Sequence, residues 1–289
     1  MNHLSTPTSQ IPIRHVSFDE SLRDLPKHFA GEGDLITSHL VAALSGVFPD
    51  GERFFVRSVQ HFRDRITDPE LKRQVAGFSG QEAMHARVHN ALNNRLDALG
   101  YPTKRYERHT RFGMELQTRM MSPLRNLAVT AALEHFTATL AELLLSNEAA
   151  RLLLGHEAVR DVFLWHALEE SEHKAVSFDV YKAVGGSERM RVRVMNMIRW
   201  SFALAIAVQV LLSLLGDRDT YRWGNFRRSW RKFRTAPYMR RELWHQLRDY
   251  NRQDFHPNDR DTTALVERWR AELFGQQGAL NDKLTSSAA

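Results

Sequence analysis

Apolar positions along the chain recur at three- and four-residue spacing, and no run alternates residue by residue between turn signals. From Asp34 onward, Leu35, Ile36, His39, Leu40, Ala43 and Leu44 mark one helical face. Phe48-Pro49-Asp50-Gly51 predicts a break, with Asp50 capping a new helix that starts near Glu52 and ends near Ile66. Thr67-Asp68-Pro69-Glu70 predicts a fresh start, because a capping side chain precedes a proline whose fixed φ suits a first turn. That helix extends to about Leu99, where Gly100-Tyr101-Pro102 stops it. Further helices are predicted over roughly 103–120, 123–146, 157–184 and 188–215, with a last one near 262–274. The predicted fold class is all-α.

The same pattern divides the chain. Residues 1–16 are polar and read as a flexible N-terminal arm; they lack the charged-then-apolar order of a secretory signal, so a cytoplasmic protein is expected. Residues 17–186 read as a helical bundle. Residues 187–250 read as an apolar helix and a basic aromatic helical segment packed on the same domain, and 251–289 as a C-terminal tail. Trp200 to Gly216 carries no charge but is short for a membrane span, which needs about 20 residues.

Charge sharpens this division. The net charge is +6, yet Arg218 to Arg241 holds nine basic residues and one acid, so the remainder is slightly acidic. General polyanion binding by the main body is not supported, and no nucleic-acid recognition motif accompanies the basic stretch. Trp223, Phe226, Trp230 and Phe233 form a helical stripe among these cations. Such a stripe fits a docked helix or a homodimer interface. It also fits an anionic membrane surface contacted through 200–241, with the protein peripheral on the inner membrane.

The chain has no cysteine, which removes disulfides, thiolate zinc sites, iron–sulfur clusters and thiol nucleophiles. Any metal must be held by nitrogen and oxygen. Glu82-x-x-His85 and Glu170-x-x-His173 each put a carboxylate and an imidazole on one helix face. Alone the motif is weak: 18 Glu and 14 His give about one match by chance, and Glu242-x-x-His245 is a third. Glu52 precedes the first motif in a separate predicted helix, and Glu134 precedes the second in the same way. One Glu and one E-x-x-H from each of two helical hairpins is the ligand pattern of ferritin-like di-metal carboxylate bundles. The flanks, including Phe54, Phe55, Ala131, Leu133, Phe136 and Leu168, are apolar, so a Glu there must be paired, protonated or metal-bound.

GERFF around Glu52, QEAMHARVHN around Glu82, ALEHFTA around Glu134 and WHALEESEHKAVSFDVY around Glu170 resemble a bacterial family described as predicted metal-dependent hydrolases. The resemblance runs from about Ile13 to Leu247. With the wider ferritin-like likeness it implies a four-helix bundle with additional C-terminal helices and a dinuclear metal centre. The implied ligands are Glu52, Glu82, His85, Glu134, Glu170 and His173, with Glu82 and Glu134 as bridging candidates. Glu169 is a rival of Glu170, because i, i+4 spacing to His173 also shares a face. His89 and His166 lie one turn beyond the two motifs and are predicted on the same side of the centre. There they would line a substrate mouth, relay protons or hold an extra metal, or serve as helix-capping or core histidines. His135 points elsewhere.

The leading expectation is a di-iron oxidase or oxygenase acting on a small apolar or amphipathic substrate, with two iron ions and an electron-donor protein. The alternatives are a dinuclear hydrolase using manganese or zinc, with Glu169 or Glu172 as general base, and a non-catalytic metal-binding bundle.

Overall fold

The computed structural model describes residues 11–285. Eleven α-helices follow one another among them: α1 (Leu35–Gln60), α2 (Pro69–Ala98), α3 (Thr103–Met120), α4 (Pro123–Ser146), α5 (Glu148–Leu153), α6 (Glu157–His173), α7 (Val176–Ala183), α8 (Glu188–Gly216), α9 (Trp223–Thr235), α10 (Arg241–Asp249) and α11 (Thr263–Phe274). Among the described residues, extended pairing is limited to an isolated bridge between Val16 and Leu284. The fold is all-α. Asp34, Asp68, Ser122, Asn147 and Ser187 each cap a helix by accepting a backbone N–H, and Pro69 and Pro123 occupy first turns.

Two helix boundaries differ from expectation. The break predicted at Phe48-Pro49-Asp50-Gly51 does not occur, and α1 runs through it. Pro49 has no N–H to give to the Ser45 carbonyl. Asn93 of α2 supplies the missing donor, with its Nδ2 at 3.1 Å from that oxygen. Glu52 therefore sits mid-helix rather than in a first turn. The helix expected over 157–184 is two helices, broken after His173. Lys174 at the break donates to Arg260 O at 2.7 Å and to Thr262 Oγ1 at 2.9 Å, which ties it to the chain leading into α11.

α1 packs on α2 and α4 on α6, and contacts of α1 with α4 and of α2 with α6 close the group. Its interior holds two apolar clusters. One gathers Phe54, Phe55 and Val59 of α1 with Phe78, Leu127, Leu133 and Val180. The other gathers Val41 and Ala42 of α1 with Val88, Leu92, Trp165 and Leu168. Glu52, Glu82, Glu134 and Glu170 are buried on these same four helices.

The described segments nearest both ends join the core. Residues 1–10 of the expected arm lie outside the described residues. Residues 11–16 are not loose: Ile11 joins the first cluster, Val16 the second, and Arg14 is ion-paired. The expected tail buries Phe255, Val266, Trp269, Leu273 and Leu280. Arg191 of α8, itself buried, donates to the carbonyls of Tyr250 and Arg252 and lies 4.9 Å from the Tyr250 ring centre, which fastens the C-terminal part to the bundle.

α8 lies on α1 and α4 through Val194, Ile198, Phe202 and Ile206, while Trp200, Leu204, Leu211 and Leu215 are exposed. The aromatic stripe of α9 is split. Phe226 and Phe233 pack with Leu35, Ile36 and Leu214, whereas Trp223 and Trp230 are exposed. Ser229 of α9 accepts the Ile36 N–H at 2.8 Å, so α9 helps to cap α1.

A buried polar cross-link joins α1 to the end of α8. His39 Nε2 donates to Asp217 at 3.1 Å, and Ser213 Oγ donates to His39 Nδ1 at 2.6 Å. Lys27 and His28 also donate to Asp217, at 2.8 and 3.0 Å. Burial pulls His39 down to about 4, against the pull of Asp217.

Two outcomes follow from these contacts. Asn93→Leu leaves the Ser45 carbonyl buried without a donor and lowers stability by about 1–3 kcal/mol in urea unfolding. An unfolded histidine protonates near pH 6.5, and His39 resists protonation down to about 4. Stability therefore falls as pH drops through that window, and His39→Gln makes the fall shallower in unfolding titrations at stepped pH.

Candidate metal centre

Glu52 of α1, Glu82 and His85 of α2, Glu134 of α4, and His166, Glu170 and His173 of α6 converge between the four helices. Each is at most 4 % exposed. The α6 residues follow i, i+4, i+7, which keeps all three on one face. Ligand atoms of Glu52, His85 and His166 lie within 4.8 Å of one another, and those of Glu82, Glu170 and His173 form a second such group.

The two groups share carboxylates. Glu170 Oε1 is 3.0 Å from His166 Nε2, 3.7 Å from His173 Nε2 and 3.8 Å from His85 Nδ1. Glu82 Oε1 is 3.1 Å from His173 Nε2 and 3.7 Å from His85 Nδ1. Glu134 Oε2 lies 3.5 Å from His173 Nε2. The carboxylates facing imidazoles of both groups are Glu82 and Glu170, whereas Glu134, expected as a bridging candidate, faces His173.

The donor set fits a pair of metal ions. Both carboxylate oxygens of Glu52, Glu82 and Glu134, with His85 Nδ1 and His173 Nε2, are eight buried atoms without a hydrogen-bond partner. A buried polar atom left unpaired costs about 1–3 kcal/mol, and more when charged. Eight at one point call for cations. Burial first, then neighbouring carboxylates, pushes Glu52 and Glu82 well above the usual carboxylate range. Burial raises Glu134 to about 7. Burial also acts on Glu170, but the adjoining His166 and His173 imidazoles overcome it and hold that carboxyl low. His173 is driven up by Glu134, Glu170 and Glu82 against its own burial. Without cations the cluster gathers protons in their place.

Surrounding side chains fix each imidazole. Gln81 donates from Nε2 to Pro12 O at 2.9 Å and to Glu172 at 2.8 Å. Its oxygen must then accept from His173 Nδ1, at 2.8 Å, which leaves His173 Nε2 bare toward the centre. His85 Nε2 donates to Glu169 at 3.1 Å, which leaves Nδ1 bare. His166 Nδ1 meets His89 Nε2 at 2.6 Å, and His89 Nδ1 meets Ser45 Oγ at 2.9 Å. Ser45 donates to Asn93 Oδ1 at 2.6 Å, and Asn93 donates on to Glu107 at 3.2 Å. One assignment of protons satisfies the whole string, and it leaves His166 Nε2 bare. Thr137 Oγ1 steadies the centre by donating to Glu170 at 2.5 Å.

Two cavities reach the centre. One of about 520 Å³ is lined by Glu52, Phe55, Phe136, His109 and Leu204, among others. A smaller one of about 130 Å³ is lined by His166, Glu170, Leu44 and Phe163. Phe48 and Thr137 border both. Neither lining contains Lys or Arg.

All six ligands expected from the sequence lie in this cluster, and His89 and His166 are in contact. His166 stands as a seventh ligand candidate and also lines the smaller cavity. The His166-x-x-x-Glu170-x-x-His173 spacing carried that signal. Glu169, expected as a general base, lies away from both cavities. It is fully buried, and it is held between His85 and Arg14. Glu172 is likewise occupied, by Arg14, Arg270 and Gln81. His135 turns away, donating to Gln246 O at 3.1 Å. Gln81, Thr137 and Arg14 act across helices, and no local spacing marks them.

The family model described as predicted metal-dependent hydrolase matches residues 12–261, so the chain belongs to that family. No curated protein and no solved structure matches the chain.

Glu134→Ala, His166→Ala and His173→Ala each lower the metal bound per chain in elemental analysis, while His135→Ala keeps the wild-type content. Gln81→Leu releases the His173 orientation and weakens metal affinity about 10- to 100-fold in competition with a chelator.

Proposed function

We propose that this member of the predicted metal-dependent hydrolase family is a two-metal enzyme that hydrolyses an ester-type bond in an apolar or amphipathic substrate. The observation that carries the two-metal reading is the set of eight buried, unpartnered donor atoms at one point. When bound, a metal pair polarises a substrate oxygen and acidifies water, which is the chemistry hydrolysis requires.

The chain's own residues do the rest. Phe48, Phe55, Leu133 and Phe136 line the larger cavity beside Glu52, bind an apolar group and keep bulk water away. Glu82 and Glu170 face both imidazole groups and hold the two halves of the centre in register. The proton on His166 Nδ1 is held against His89 Nε2, and Ser45, Asn93 and Glu107 in turn hold His89 in that tautomer. The absence of Lys and Arg from both linings disfavours a phosphate substrate and favours a neutral bond.

A second reading, oxygen-dependent oxidation with two iron ions and a separate electron donor, is favoured by the same apolar lining and by the carboxylate-rich donor set. Hard, charged oxygen ligands stabilise oxidised iron. The hydrolytic reading uses manganese or zinc.

Elemental analysis of the purified protein, paired with turnover of neutral acyl esters in air and under nitrogen, separates the two. Hydrolysis undiminished without oxygen, with manganese or zinc bound, supports the first reading. Iron with oxygen uptake and no anaerobic turnover replaces it with the second. A folded protein that takes up no metal overturns both.

A further inference from the structure

α8 and α9 present an outer surface that the bundle does not cover. On α8, Trp200, Leu204, Val208, Leu211 and Leu215 follow one another at three- and four-residue steps, and all are exposed. They form one stripe of a 29-residue helix whose other side is packed on α1 and α4. α8 is long and apolar enough to cross a membrane, but only 28 % of its most apolar window is buried, and its packed side keeps it lying along the bundle. Exposed apolar area of this extent marks a binding surface.

α9, whose Phe226 and Phe233 pack in one cluster with Val210 and Leu214 of α8, carries charge. Trp223, Arg227, Trp230, Arg231 and Arg234 share an exposed face of α9, beside the packed Phe226 and Phe233 against which Trp230 stacks. Among the described residues, Arg227, Arg231 and Arg234 have no carboxylate within 4 Å. Indole rings interleaved with unpaired guanidinium groups match the level of a bilayer where apolar chains meet anionic headgroups. A second copy of the chain fits less well, because a twofold contact would set two strongly cationic segments against each other.

The larger cavity leads from this surface inward. Leu204 and Val208 belong both to the exposed stripe and to the cavity lining, and Glu52 lies in the same lining. α3 forms another part of that wall and exposes Phe112, Leu116 and Met120. The geometry points to docking of the outer face of α8 and α9 on an anionic bilayer, with a lipid-like substrate entering the cavity directly from it. Docking stands without the two-metal reading; substrate entry rests on it.

Flotation of the full chain with phosphatidylcholine vesicles, with and without phosphatidylglycerol, tests the docking. The expected result is binding to the anionic vesicles that weakens with salt, with quenching of tryptophan fluorescence by brominated lipid. Arg227→Glu/Arg231→Glu weakens binding on the order of 10-fold. Trp200→Gln/Leu211→Gln/Leu215→Gln abolishes the quenching while metal content and helical circular dichroism stay at wild-type values. No vesicle binding by metal-loaded protein overturns the docking and leaves the metal centre intact. Vesicle binding by protein that takes up no metal upholds docking and overturns substrate entry. A monomer–dimer shift in the α8 variant, with no wild-type vesicle binding, replaces the bilayer with a second copy.

Discussion

Four carboxylates buried at one point among apolar helices are the constraint on which this structure turns. Each charge removed from water is costly, and their mutual repulsion adds to the cost. Glu52, Glu82, Glu134 and Glu170 cannot all ionise there without positive charge beside them. Protons meet the need in part, as the high-lying Glu52 and Glu82 and the proton-rich His173 indicate. Metal cations held there would meet it fully and would use the eight donor atoms that hydrogen bonding leaves unsatisfied.

The surrounding network follows from that need. A histidine ligates through a nitrogen that carries no proton, so its other nitrogen must find an acceptor. Gln81 does this for His173, Glu169 for His85, and His89 for His166. Arg14 then holds Glu169 and Glu172, and Glu172 fixes the Gln81 amide. The segment carrying Arg14 is thus anchored by the site's own electrostatics. Pro49 belongs to the same economy of contacts: Asn93, which closes the His89 string, also satisfies the carbonyl that Pro49 leaves free.

Much of this was legible in the sequence, and the misses have physical causes. Three- and four-residue periodicity marked the helices, and the paired E-x-x-H motifs marked residues that converge between them, because both signals are local to one helix. The continuity of α1 through Pro49 was not legible, since the compensating donor comes from α2. Arg14 and Gln81 were missed for the same reason, as their partners lie on other elements. The role of His166 was visible in its spacing from Glu170 and His173. The aromatic stripe of α9 was read as one face, but packing on α1 took Phe226 and Phe233 and left Trp223 and Trp230 outside.

The exposed stripe of α8 and the cavity behind it place an apolar approach next to a polar, charge-dense centre, and the centre is what the whole account requires. The most direct measurement is a crystal structure of the metal-loaded protein with anomalous scattering from the metal. Two peaks are expected, one ringed by Glu52, His85 and His166 and one by Glu134 and His173, with Glu82 and Glu170 between them. A single peak, no peak, or metal confined to His28, His39 and Asp217 would contradict this arrangement.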